Sequence, residues 1–425
     1  MSTLLLFVIL AAPPAEPAFA GAETLTLDAV VDFSRRHNPR LLALRQHLAR
    51  ARATAEATAP WPEPMLTLSA SPLPVVTRNG PAWGSAMLSQ PLPWLQSLDA
   101  AREAATADAT QRAAQLDEAE LEVAFAVRRA YHALHLARAE AAVIDEVRTL
   151  ARRTIELAQA RLAVDLARQT DVLRAQVELA RLDNLALDLA AQQRTRRAEL
   201  NTLLGRGPEA PLPPTEPPAD KDAPETIDAL LERGRARHPA LAARDAAIEA
   251  ARARLRAAQT LDRPKFTVGV GYTLIGEADN PAMTPESGRD AVMLQVGAPL
   301  PVFGQAPHAA AERAAELDIE AAQADRRDEE TRRVYQILEA HIAVETAHRG
   351  VRLYTETVLP LAHQTVDVLE AAYAVGQVGF LDVLDAERAL ERYGLEAAQA
   401  RAELGVRLAA LAWAVGDREG GDDAP

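Results

Sequence analysis

The sequence predicts a mainly helical protein with four short β-strands, built from two copies of one structural unit. Apolar residues make up 48% of the chain but aromatic residues only 4%. The apolar content is therefore mostly Ala, Leu and Val, which suits long helices packed side by side. Sequence motifs recur about 200 residues apart. Between the helical stretches, short segments alternate apolar and small polar residues with the period of a β-strand.

The internal repeat divides the chain into two halves. Four matched pairs of motifs illustrate it: His37-Asn38-Pro39 with Arg237-His238-Pro239, Pro64-Met65-Leu66 with Pro264-Lys265-Phe266, Arg128-Arg129-Ala130-Tyr131 with Arg332-Arg333-Val334-Tyr335, and Asp171-Val172-Leu173 with Asp382-Val383-Leu384. Residues 208–224 hold seven prolines, which cannot continue a helix and predict an extended linker. The predicted repeats are 21–207 and 225–415, followed by a disordered acidic tail at 416–425.

Residues 1–20 have the pattern of a secretory signal peptide. The apolar run from Leu4 to Ala12 is too short to span a bilayer, and Ala18-Phe19-Ala20 is a small-x-small cleavage site. We therefore expect the chain to be exported.

Each half repeats one order of elements: a helix, two strands, a very long helix, a tip and a returning helix. The predicted bounds are 28–59, 64–76, 83–92, 98–163 and 168–204 in the first half, and 226–262, 264–275, 289–299, 306–375 and 380–415 in the second. At about 1.5 Å per residue, the two shorter helices of a half together match its long helix at about 100 Å. The sequence thus predicts two helices stacked end to end beside one long neighbour, with apolar positions such as Leu338 and Ile342 in the core.

The predicted strands indicate a membrane environment. Phe266, Val268, Val270, Tyr272 and Leu274 alternate with small or polar residues, so one face of this strand is apolar. No spare amphipathic element is left to cover that face, and a strand of about nine to eleven residues has the length that a bilayer needs. Four strands cannot close a membrane barrel, whereas three copies supply twelve. We therefore expect the protein to oligomerise into a closed transmembrane β-barrel, to which each chain contributes four strands.

The stretch 376–387 lies between two long helical patterns and reverses them. Gly376 and Gly379 can end the incoming helix, because glycine adopts the left-handed backbone conformation. Asp382 and Asp385 fall in the first turn of the next helix, where carboxylates meet the positive end of the helix dipole. The sequence predicts a helical hairpin tip that carries two acids.

The matching tip of the first half departs from this pattern. Asp165 aligns with Gly376, Arg168 with Gly379 and Asp171 with Asp382, while Arg174 takes the place of the second acid. Without the glycines, we expect this tip to differ in its tightness or in how it docks.

Composition and motifs exclude several classes of function. The net charge of −14 argues against nucleic acid as a partner. The chain has no cysteine, and therefore neither a cysteine nucleophile nor a cysteine-linked lipid anchor. His132 with His135, and His341 with His348, lack the further ligands that a metal site needs, so we expect no metal and no cofactor. No phosphate-binding loop, His-Glu-x-x-His or Gly-x-Ser-x-Gly motif occurs, and we predict that the protein is not an enzyme.

The duplicated plan, the proline-led strand pairs and the Gly-x-x-Gly-x-x-Asp-Val-Leu-Asp-Ala-Glu tip resemble the TolC-like outer-membrane efflux channel family over nearly all of the mature chain. The resemblance implies a homotrimer with a 12-stranded outer-membrane β-barrel, four strands per chain, that is continued in the periplasm by an α-helical barrel. Its partners would be outer-membrane lipid, a periplasmic adaptor and an inner-membrane pump of the resistance-nodulation-division type. The linker and the tail would lie in an equatorial region around the helical barrel. The organism would be a Gram-negative bacterium.

The resemblance also implies roles for the tip residues. Asp382 and Asp385 would ring and constrict the periplasmic entrance as its gate. The residues that would dock the adaptor are Gly376, Gly379, Phe380, Asp165, Arg168 and Asp171.

The expected function is an exit duct for a tripartite efflux pump. Pro91-Leu92-Pro93-Trp94 and Pro299-Leu300-Pro301-Val302-Phe303-Gly304 resemble the heavy-metal cation branch of the family more than its drug or protein-secretion branches. Drug or protein export remains an alternative. A rival from another class is a soluble periplasmic coiled-coil scaffold or adaptor, in which the strands form small soluble sheets.

Overall fold

The computed structural model describes residues 19, 23–217, 225–283, 285–299 and 305–417, without the side chains of 282 and 305. The predicted signal peptide, apart from residue 19, lies outside the described residues. So do the linker after residue 217, the tail after residue 417 and the Val302-Phe303-Gly304 segment.

The elements follow the predicted order in both halves, which confirms the predicted fold class. The first half contains α1 (Leu27–His37), α2 (Pro39–Ala57), β1 (Met65–Thr77), β2 (Gly80–Leu92), α3 (Leu95–Ala163) and α4 (Gln169–Leu203). The second half contains α5 (Ile227–Arg237), α6 (Pro239–Ala258), β3 (Phe266–Ile275), a 3-10 turn (Pro281–Met283), β4 (Ala291–Gly297), α7 (Gln305–Arg352), a π-helix (Leu353–Val358), α8 (Leu359–Ala374) and α9 (Phe380–Val415). None of the described helices has an apolar stretch long enough to cross a membrane.

The first helix of each half is broken where the sequence predicted one continuous helix. Asn38 and His238 are extended, each with a ψ of 124°, because the proline that follows disfavours the helical conformation. The Asn38 side chain then begins α2: its Oδ1 accepts hydrogen bonds from the backbone N–H of Arg40 at 3.0 Å and of Leu41 at 3.2 Å. A proline thus ends one helix and starts the next.

The long helix predicted at 306–375 is interrupted by the π-helix. Pro360 has no N–H, and its ring would clash with the carbonyl four residues earlier in a regular α-helix. Here the N–H of Leu359 bonds instead to the carbonyl of Tyr354, five residues back. The wider turn accommodates the proline without ending the helix.

The four strands form one antiparallel sheet in the order β1-β2-β3-β4. Leu66, Leu88, Val270 and Leu294 are successive cross-strand partners, so they share one face, and they are 61%, 48%, 44% and 83% exposed. Among the described residues, β1 and β4 each pair on one side alone. The sheet therefore has an uncovered apolar face and two open edges.

The chain divides into a helical unit, from ranges 1–45, 116–239 and 330–425, and a unit that holds the sheet, from 46–115 and 240–329. The helical unit has a core around Tyr131, which is 2% exposed. Its hydroxyl donates to the carbonyl of Leu25 at 2.6 Å and lies 3.1 Å from that of Glu216. A matching core from the second half surrounds Ile337, Val344 and Leu411.

Candidate functional site

The second tip closes as the two glycines predict. After α8, Gly376 adopts a φ of 83°. The N–H of Gln377 bonds to the carbonyl of Ala372 at 2.9 Å, and that of Gly376 to Tyr373 at 3.0 Å, which satisfies the free carbonyls at the helix end. Gly379 then caps α9 with an extended backbone.

The two predicted gate acids have different surroundings within the chain. The Asp382 carboxylate accepts a hydrogen bond from the backbone N–H of Gly379 at 2.9 Å, so it caps α9. Asp385 lies three residues further along the same helix, and both side chains are exposed. Asp382 therefore has a structural task in each chain, whatever its role in an assembly.

The first tip keeps the same backbone without glycine. Asp165 adopts a φ of 59°, and the N–H of Leu166 bonds to the carbonyl of Arg161 at 2.9 Å. Arg168 takes the capping position, and its N–H donates to the Asp171 carboxylate at 3.3 Å. The difference in tightness that the sequence suggested is absent from the backbone, because aspartate tolerates the left-handed conformation better than most residues.

The two tips share one apolar core. Phe380 is 4% exposed and meets the ring of Tyr373 edge-on, with 6.0 Å between ring centroids. Ala175 from the first half joins this core. Arg161 stacks on the Tyr373 ring at 4.5 Å and donates to the Leu166 carbonyl at 3.0 Å. Phe380, predicted as a docking residue, therefore lies inside the tip, whereas Asp165, Arg168, Gly376 and Gly379 are exposed and Asp171 is half-buried.

Behind the tips lies a buried acid that the sequence analysis missed. Glu387 is 3% exposed and accepts a hydrogen bond from the hydroxyl of Thr154. The same hydroxyl lies 3.4 Å from the carboxylate of Glu370. Glu387 follows Val383 by four residues and precedes Leu390 by three, so helical periodicity alone places it on the buried face. This spacing from Val383 and Leu390 is the feature of the sequence that could have identified Glu387 as buried.

A second buried acid close by is paired with cations. The carboxylate of Glu178 receives hydrogen bonds from Arg388 at 2.7 Å and from Arg181 at 2.7 Å. Burial alone would raise the pKa of Glu178, but the two guanidinium groups outweigh it and hold that pKa below its usual value. Arg181 also bonds to Glu391, which links α4 to α9.

The histidines singled out by spacing lie among packed helices. His132 is 4% exposed and packs against Gly405, where an added Cβ would lie 2.5 Å from the ring. Burial, with the nearby His135 and Arg128, lowers the pKa of His132 to about 4, so the ring is neutral. His341 lies 3.6 Å from the carboxylate of Glu345. Within the described ranges, three or more His, Asp or Glu side chains nowhere form a cluster that could hold a metal.

Both halves of the chain match the model of one known protein family. The model of the outer membrane efflux protein family matches residues 30–206 and again 230–417, well over half of the chain. The curated proteins contain no significant sequence match.

Several solved structures have the same fold. The outer-membrane channel OprN is 22% identical, with 92% of this chain and 89% of that one covered and a TM-score of 0.73. The outer membrane protein VceC from Vibrio cholerae is 20% identical, with 92% and 96% covered and a TM-score of 0.73. CusC, described for its transmembrane channel formation, is 16% identical, with 96% and 98% covered and a TM-score of 0.73. The predicted resemblance is confirmed, and the chain belongs to the outer membrane efflux protein family.

Proposed function

We propose that this chain is one subunit of a trimeric exit duct, which passes substrates from an inner-membrane pump and its periplasmic adaptor to the outside of the cell. Family members are outer-membrane channels of Gram-negative bacteria, work with such partners and act as transport ducts. The observation that carries the proposal is the sheet, which has an uncovered apolar face and two open edges.

An isolated sheet of this kind would aggregate through its edges in water. The side chains on its apolar face include Leu68, Val292 and Val296, which are 71%, 70% and 74% exposed. In a bilayer that face meets lipid, and pairing β4 of one copy with β1 of the next satisfies the edges. Three copies give twelve strands and a closed β-barrel.

The helices support the same assembly. On α4, Leu173, Val177 and Leu187 are 53%, 69% and 71% exposed. On α8, Leu361 and Val368 are 56% and 65% exposed, at the seven-residue spacing of a coiled-coil seam. Two different apolar stripes on one chain fit a head-to-tail contact, which closes into a ring.

The same contact explains two failed core predictions. Leu338 and Ile342 were expected in the core but are 46% and 52% exposed in the single chain. In our proposal they are buried between copies, because periodicity marks a buried face without saying which chain covers it.

We propose Asp382 and Asp385 as the gate, because three copies would bring six carboxylates to one axis. The Asp382→Asn, Asp385→Asn double variant should abolish the cation preference of the reconstituted channel. It should keep the helix cap, since asparagine also accepts the hydrogen bond from Gly379. An unchanged cation preference would refute the gate.

The tip residues Asp165, Arg168, Asp171, Gly376 and Gly379 form the adaptor-docking surface in this proposal, and Phe380 supports it from inside. Crosslinking with a photoreactive residue at Arg168 should capture an adaptor. A matched photoreactive residue at the exposed position Glu403, further along α9, should not.

We propose heavy-metal cations as the substrate class. The acidic tip attracts cations, and the proline-led turn after β2 resembles that branch of the family. Deleting the gene should lower tolerance to zinc, cobalt or copper. A loss of tolerance confined to hydrophobic drugs would favour drug export instead.

The whole proposal is tested by fractionating native membranes and measuring the mass of the detergent-purified complex. We expect a trimer of the processed chain, with both repeats and the linker, in the outer-membrane fraction. A soluble periplasmic monomer or dimer would instead identify a scaffold or adaptor.

A further inference from the structure

Three helices meet at a carboxyl pair behind the tips, which we define as Glu387 of α9 and Glu370 of α8. Thr154 of α3 lies between them: its hydroxyl bonds to the Glu387 carboxylate and lies 3.4 Å from that of Glu370. Thr154 is 2% exposed and Glu387 3% exposed. The pair therefore lies in the packing between α3, α8 and α9, next to the shared core of the tips.

The hydrogen-bond geometry favours a proton on one of the two carboxyl groups. A threonine hydroxyl has one hydrogen to donate, whereas an ionised carboxylate can only accept. If both carboxyl groups were ionised, one of them would face a lone pair of the Thr154 oxygen. A hydrogen bond from each carboxyl group within this trio needs one protonated carboxyl; otherwise Glu370, which is half-buried, is left to the solvent.

The charges around the pair favour the same state. The charge of Asp367 on α8 raises the pKa of Glu370, and that of Arg153 on α3 lowers it. The charge of Glu370 in turn raises the pKa of Glu387. From α4, Glu178 acts on Glu387, although Arg181 and Arg388 pair with Glu178. Within the described part of the chain, the Glu387 carboxylate accepts its hydrogen bond from a hydroxyl and not from a cation.

Burial, together with the neighbouring acids, raises the pKa of Glu387 to about 7 and outweighs the hydrogen bond from Thr154. Burial also raises the pKa of Glu370. A carboxyl group whose pKa is higher in the packed state than in the exposed state stabilises packing at low pH. That stabilisation is complete below the ordinary value of 4.5 and is lost as pH rises through about 7.

We propose that the carboxyl pair is a proton-controlled contact: it holds α8 against α3 and α9 when protonated, and loosens the tips when ionised. The inference rests on the proposed duct function, in which loosened tips mean an open entrance. A proton would then act as a ligand of the closed state. The channel should open more readily at neutral pH than in acid.

The test is single-channel conductance of the full-length trimer in planar bilayers, from about pH 5 to about pH 8. For the wild type, the ratio of open to closed time should rise with pH, by up to about two orders of magnitude if opening fully exposes Glu387. Glu387→Gln keeps the shape but cannot ionise. It should stay at the low-pH level throughout. Glu370→Gln is the second variant and should flatten the profile partly.

The matched control is Glu403→Gln, the same substitution at an exposed site on the same helix, where Glu403 pairs with Arg407 at 2.6 Å. It should keep the wild-type pH profile. A second readout needs no channel activity: the melting temperature of Glu387→Gln should equal the wild type in acid and exceed it above about pH 7.

The outcomes separate the two proposals. Absence of any conductance from every variant would overturn the duct and leave the melting curves to decide the proton contact. Normal conductance with the same pH profile and melting curves in wild type and Glu387→Gln would overturn the proton contact and leave the duct intact.

Discussion

The first tip reverses the chain through Asp165 at a φ of 59°, and the second through Gly376 at a φ of 83°. Each is followed by an N–H that bonds to the carbonyl five residues back. Each ends at a carboxylate, Asp171 or Asp382, that caps the next helix. The backbones agree, although the first tip has neither of the two glycines.

The side chains at matching positions of the two tips differ in burial. Phe380 begins α9 and is buried, whereas the matching residue Gln169 begins α4 and is exposed. Tyr373, 3% exposed, matches Leu162, which is half-buried. The second tip therefore supplies most of the shared core, and the first contributes Arg161 across it.

The two tips show that copies of one hairpin can share a backbone and differ in their buried side chains. Hydrogen bonds of the main chain hold the turn in both copies, so side chains are free to specialise. One tip has become the anchor and the other depends on it. The following substitutions test that asymmetry.

Phe380→Ala should have the largest effect. Truncating a buried aromatic side chain lowers the free energy of unfolding by about 3–5 kcal/mol. The matched change Gln169→Ala should alter it by less than about 0.5 kcal/mol, because Gln169 is exposed. Thermal unfolding of the detergent-purified protein measures both. Equal effects would mean that the tips do not differ as anchors.

Gly376→Ala should come next. A side chain at a φ of 83° is strained by about 1–2 kcal/mol, while the space around Gly376 is adequate, the nearest atom being 3.4 Å from the added Cβ. Gly379→Ala is the matched control, since its φ of −82° suits any residue. The melting temperature should fall for Gly376→Ala and stay unchanged for Gly379→Ala. A fall in both would place the strain elsewhere.

Arg161→Met keeps the length of the side chain but removes its stacking on Tyr373 and its hydrogen bond to Leu166. We expect a loss of about 1 kcal/mol, in the range of such contacts. Limited proteolysis should then cut the first tip faster than the second. Equal cleavage of both tips would contradict the dependence of the first tip on Arg161.

The two capping acids should show the smallest effects. Asp171→Ala and Asp382→Ala should each lower stability by about 0.5–1 kcal/mol. The Asp382 variant should lose slightly more, because its hydrogen bond is 2.9 Å long and that of Asp171 is 3.3 Å. Thermal unfolding at matched protein concentration makes the comparison. A larger loss at Asp171 would reverse the asymmetry of the tips.

The sequence by itself determined the duplicated order of elements, the alternation in β3 and the position of both tips. These follow from local causes: periodicity, proline and glycine act within a few residues of themselves. The breaks at Asn38 and His238 have a local cause as well, because the proline that follows each residue disfavours its helical conformation.

The tertiary structure determines which apolar positions are covered within the chain and which groups a buried acid contacts. Periodicity put Leu338 and Ile342 in the core, yet they are exposed in the single chain. Periodicity places Glu387 on a buried face but does not identify its partner Thr154, which lies 233 residues away in sequence. Burial and proton affinity depend on which helices meet, and that depends on contacts between residues far apart in the chain, which no local pattern records.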